Sequence, residues 1–89
     1  MANHPSAEKR NRQNERRRTK NRIERSSFRT AMKKARSLAE QNQVEAAQAE
    51  AKKATRLLDK AVSHGVLKRQ TASRYISRLQ QHLNRAAQA

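Results

Sequence analysis

The sequence predicts an all-α protein: a three-helix bundle with a long, basic, projecting N-terminal helix. Three observations predict it. Apolar residues recur at intervals of three and four in three successive stretches, the spacing that gives a helix one apolar face. The connections between those stretches are short, as they are between antiparallel neighbours in a bundle. The first stretch, Glu8 to Arg36, holds 13 of the chain's 22 Lys and Arg against three of its seven acids, with no apolar residue between Ala7 and Ile23. A helix that is polar all round cannot be stabilised by burial against its own protein. That part of the first helix needs a polyanion beside it.

Residues 1–6 (MANHPS) read as a flexible lead, and residues 7–89 as a single three-helix domain with helices at about 7–40, 43–64 and 69–87. Pro5 disfavours helix at His4, Ser6 reads as the N-cap, and Glu8 lies in the first turn at the positive end of the dipole. The apolar face of the first helix begins only in its second half, with Phe28, Ala31, Met32, Ala35, Leu38 and Ala39. On a helical wheel Arg18, Arg22, Arg25, Arg29, Lys33 and Arg36 form a second stripe. It is offset from the apolar arc by roughly 120° at about 100° per residue. One face can therefore pack while its neighbour meets phosphate. Residues 7–22 are expected to project.

Gln41-Asn42-Gln43 interrupts the pattern, and Asn42 with Glu45 three residues on reads as a capping box opening the second helix. Val44, Ala47, Ala51, Ala54, Leu58, Ala61 and Val62 then recur almost entirely by threes and fours. The run EAAQAEAKKA suits a helix that neighbours approach closely, because Ala is the best helix former and has almost no side chain. Gly65, the chain's only glycine, stands where a helix commonly ends in a left-handed residue. The third helix starts near Lys68–Thr71 and carries Ala72, Tyr75, Ile76, Leu79 and Leu83 on its apolar face, with Arg74, Arg78 and Arg85 off it.

Composition bounds the function. Leu, Ile, Val and Phe number only 12 of 89 residues and the formal net charge is +15, which sits at the edge of the disordered class. A mostly unfolded basic tail is the bland alternative. The absence of cysteine excludes disulfides and thiol metal sites, and no apolar run suits a transmembrane helix or signal peptide. The expected location is cytosolic. So large a positive charge attracts nucleic acid or anionic lipid. Arg outnumbers Lys by 14 to 8, and the guanidinium fork suits bidentate phosphate contacts.

Chemistry that would make an enzyme is missing. His4, His64 and His82 share no metal-ligand spacing, and the dispersed acids read as caps or intrahelical pairs such as Glu15 with Arg18 and Asp59 with Arg56. There is no glycine-rich phosphate loop, no nucleophile elbow and no Cys to pair with a His. No catalytic residue, metal, cofactor or small-molecule substrate is expected. Phe28 and Tyr75 are the only aromatics, so base stacking is barely available, and no groove-reading module is recognisable. Phosphate contact from a rigid basic rod is the chemistry on offer.

Three stretches carry a resemblance: the opening MANHPSAEKRNRQNERRR, the LLDKAVSHG that ends the second helix, and TASRYISRLQQHLN in the third. Together they resemble the bacterial small-subunit ribosomal protein numbered twenty in its series, over essentially the whole chain. Asp59-Lys60-Ala61, Gly65, Ala72, Arg74 and Ser77-Arg78-Leu79 fall together at that family's spacing. The chain departs from the pattern at Gln70, where an Asn commonly opens the third helix. It departs again at Lys68, in place of a common His, and at Tyr75-Ile76, in place of a pair often basic. The resemblance implies a structural protein that binds ribosomal RNA directly, as a monomer within the ribosome. Other small-subunit ribosomal proteins would be partners at its periphery. By position it implies RNA contacts from Lys9, Arg10, Arg12, Arg16, Arg17, Arg18, Lys20 and Asn21 of the projecting part. Arg22, Arg25, Arg29, Lys33, Lys34 and Arg36 follow on the first helix, and Arg74, Ser77 and Arg78 on the third.

Two rival readings come from other classes. A nucleoid-type basic protein binding DNA non-specifically would share the steep salt dependence, but folded RNA would not compete far better than duplex of equal phosphate count. A membrane-active amphipathic peptide fares worst, because the most basic stretch lacks the apolar face that must enter lipid.

Overall fold

The three apolar arcs close on one another as three α-helices: α1 (Pro5–Glu40), α2 (Val44–Ser63) and α3 (Arg69–Gln88). The structure, a computed structural model, describes residues 5–88. Residues 1–4 of the expected lead lie outside the described residues. Pro5 and Ser6 are already helical, so Ser6 is not the N-cap. A proline tolerates the first turn because its missing N–H would have no intrahelical partner there.

The α1–α2 junction corrects a second cap. Asn42 does not open α2; it closes α1 with φ of 63°. Its N–H donates to the Ala39 carbonyl (3.1 Å) and the Gln43 N–H to the Leu38 carbonyl (3.0 Å), the bonding pattern of a Schellman motif. The N-cap of α2 is Gln43, which makes no side-chain capping bond. Asn suits either role, and the left-handed position won because it satisfies two carbonyls that α1 would otherwise leave unpaired. The α2–α3 junction repeats the device. Gly65, at φ 72°, donates to the Val62 carbonyl (3.1 Å) while the Val66 N–H reaches the Ala61 carbonyl (2.9 Å). Val66 folds back into the core at 8% exposure. Ahead of α3, the Lys68 carbonyl accepts from the Ala72 N–H (3.0 Å), and the first turn holds no acid.

The core consists of Phe28, Ala31, Met32, Ala35 and Ala39 from α1, Ala47, Ala51, Ala54, Leu58 and Ala61 from α2, Val66, and Ala72, Leu79 and Leu83 from α3. Most of these are alanine. Small side chains let α1 and α2 lie close along their whole shared length, and this pair has the most extensive packing in the bundle. Leu38, Val62, Tyr75 and Ile76, expected on the core faces, are half-buried at its margin, and so is Val44. The large residues Phe28, Leu58 and Leu83 are fully enclosed. Phe28 also meets the Tyr75 ring, with centroids 6.4 Å apart and planes tilted by 41°.

Residues 6–20 of α1 are exposed without exception. At about 1.5 Å per residue they extend roughly 22 Å. The Cα trace is accordingly elongated, 66 × 22 × 15 Å. Among the described residues no helix is long and apolar enough to cross a membrane.

Candidate nucleic-acid interface

Because α1 is a single uninterrupted helix, its internal spacing alone decides which cations share a face. Arg18, Arg22, Arg25 and Arg29 line one shallow surface hollow with Ser26 and Thr30. Lys33 and Arg36 continue the stripe and are exposed. Lys9, Arg10, Arg12, Arg16, Arg17 and Lys20 are exposed too, distributed around the part of α1 that no other helix covers.

Packing then adds what one helix could not. The flank of α3 that carries Tyr75, Arg78 and His82 faces Arg29, Met32 and Arg36 of α1 across a groove of about 430 Å³, with Leu79 in its floor. Three guanidiniums from two helices therefore border one concavity. Arg74 is exposed one turn before Arg78, on the same side of α3. Ser77 is exposed as well, but about 100° round the helix from Arg78.

Two expected contact residues lie apart from the stripe. Lys34 is turned toward α2, where its Nζ sits 3.4 Å from Glu50 Oε1. Asn21 is half-buried, on the inward arc of α1 rather than on the arginine face. Helical spacing already sets Lys34 on the other flank of the apolar arc from the arginine stripe, away from Lys33 and Arg36. Its partner, Glu50, is set by where α2 lies.

Electrostatically, the stripe is uncompensated. Among the described residues Lys34 pairs with Glu50, the carboxylates of Glu24 and Glu40 lie against His64 and His82, and no arginine is paired. The intrahelical pairs read from spacing, Glu15 with Arg18 and Asp59 with Arg56, do not close; the carboxylates that pair do so between helices. Glu24 falls on the inward arc of α1, and its Oε1 accepts from the Nδ1 of His64 at the end of α2. Its other oxygen is buried without a hydrogen-bond partner. Spacing alone does not single out Glu24, and it sets Tyr75 and His82 aside as core and non-ligand residues. The wheel position of Glu24 in line with Phe28 and Ala31 was the available signal.

Such a bundle, with guanidiniums facing solvent unpaired, is a basic three-helix protein whose charged face suits a polyanion by charge and shape. The chain belongs to the ribosomal protein S20 family, whose model its residues 2–84 match. It is 44% identical, over the whole of both chains, to the small ribosomal subunit protein bS20 of Helicobacter acinonychis. It is 49% identical to the bS20 of an Anaeromyxobacter species over 79 residues, 89% of this chain and 88% of that one. The bS20 of Maridesulfovibrio salexigens is similar at 41% identity over 98% of this chain and all of its own length.

Proposed function

We propose that this chain is a structural component of the small ribosomal subunit that holds ribosomal RNA through phosphate contacts from α1. The observation that carries the proposal is the stripe of unpaired guanidiniums running from the exposed rod into the α1/α3 groove. A buried or paired arginine has already met its donors' needs; an exposed, unpaired one has five to offer to phosphate oxygens. Residues 7–22 serve as the extension inserted among RNA helices. Arg22, Arg25, Arg29, Lys33 and Arg36 carry the same face onto the bundle, with Arg74, Ser77 and Arg78 joining from α3. Lys34 and Asn21 contribute less, given where their side chains lie. The chain acts as a monomer inside the ribosome, with neighbouring small-subunit proteins at its margin.

Salt dependence tests the contact set. Each phosphate neutralised contributes roughly 0.7–0.9 to the slope of log affinity against log salt. Replacing Arg18, Arg22, Arg25 and Arg29 by Gln should make that slope shallower by about 3–4 units. The same change at Lys52, Lys53, Arg56 and Lys60, exposed on α2, should alter it far less. Equal changes would point to a diffuse cloud of charge instead of a docked helix. Competition by duplex DNA as effective as small-subunit RNA of equal phosphate count would favour the nucleoid-type alternative.

A further inference from the structure

We propose that the α1/α3 groove is a pocket for one unstacked nucleotide of the RNA. Tyr75 receives the base face over a floor of Met32 and Leu79, and Arg29, Arg36 and Arg78 hold the flanking phosphates. The proposal rests on the RNA-binding reading and adds to it a contact that phosphate recognition does not require.

The lining carries the inference. Guanidiniums alone would suit a backbone running past, but Met32 and Leu79 are 6% and 5% exposed and offer phosphate nothing. An apolar floor, an aromatic wall and a cationic rim together match a nucleobase with its phosphates. The volume, about 430 Å³, lies within the range of pockets that take small organic groups. A base inside a duplex has its faces covered by its neighbours, so the occupant is a splayed-out residue of a loop, bulge or junction. Tyr75 packs against the enclosed Phe28, with centroids 6.4 Å apart and planes tilted by 41°, which holds its ring at the groove wall. His82 lines the groove too, though its Nε2 is buried and unpartnered, with Glu40 Oε1 at 3.8 Å too far to accept.

Other concavities lack this combination. The hollow beside Ile23 and Leu57 has no aromatic, and its Lys34 is paired with Glu50. The one between Ser63 and Arg69 carries Asp59, which repels phosphate. The hollow along Arg18 to Arg29 has no apolar floor.

Nuclear magnetic resonance on the isotope-labelled full chain, titrated at fixed salt with nucleoside monophosphates, ribose 5-phosphate and inorganic phosphate, tests the pocket. Stacking on an aromatic predicts nucleotide affinity at least about fivefold above that of ribose 5-phosphate. The saturable shifts should centre on Tyr75, Met32, Leu79 and His82. Nucleotides that bind no tighter than ribose 5-phosphate, or shifts spread along the α1 stripe, overturn the pocket and leave the phosphate contacts of α1 standing. In RNA binding, Tyr75→Leu should weaken affinity about fivefold or more without changing the salt slope, whereas Tyr75→Phe keeps it. An unchanged affinity in Tyr75→Leu counts against the pocket. If that variant melts early, the wild-type titration decides.

Discussion

Asn42 and Gly65 hold the same left-handed position at the ends of successive helices, for the same reason and at different strain. An added Cβ on Gly65 would meet nothing within 4 Å, so space does not require glycine there; φ of 72° does. Gly65→Ala should therefore destabilise the bundle by about 1–2 kcal/mol, the left-handed penalty of an L-residue, and Gly65→Asn by clearly less. Urea titration of the helical signal checks both, and a neutral Gly65→Ala would mean the turn relaxes to another conformation. Leu79 is a different case. It is 5% exposed, a core residue that also forms the groove floor, and Leu79→Ala should lose roughly 2–5 kcal/mol. A thermally silent Leu79→Ala would place that side chain in solvent and the register of α3 in error.

At the scale of elements, α1 is two objects in one helix. From Phe28 onward it is held by packing; over residues 6–20 every side chain is exposed, and cations crowd its turns. Free protein at low ionic strength should show amides of residues 7–20 exchanging almost unprotected while α2 and α3 resist. Protection of that segment equal to the bundle's, in monomeric protein without RNA, would sink the idea that RNA orders it. This division was legible in the sequence because a period of three and four, and its absence, are properties of one segment read alone. The arginine stripe was legible for the same reason. The caps were not, since Asn42 suits both the end of α1 and the start of α2, and only backbone geometry chooses. Nor was the groove: whether Arg78 and Tyr75 face Arg29 or solvent depends on how α3 is rotated against α1. The pairing of Lys34 with Glu50 depends in the same way on α2.

For the molecule as a whole, charge and shape act together. A net +15 on a body 66 Å long and 15 Å thin is spread along an axis instead of being gathered on a sphere. Self-repulsion is thereby eased, while a long anionic partner can be met along its length. The alanine-lined core has a calorimetric consequence. Methyl groups shield little hydrocarbon from water compared with leucines, and the exposed rod shields almost none. The heat-capacity increment of unfolding, normally about 12–15 cal/mol/K per residue, should then fall below about 1 kcal/mol/K for the chain. Scanning calorimetry at several pH values would measure it, and a value above about 1.3 kcal/mol/K would contradict so thin a core. A small increment flattens the curve of stability against temperature. Unbound, this protein would have a low but nearly constant margin from the cold to its midpoint, and bound RNA would raise the whole curve by mass action.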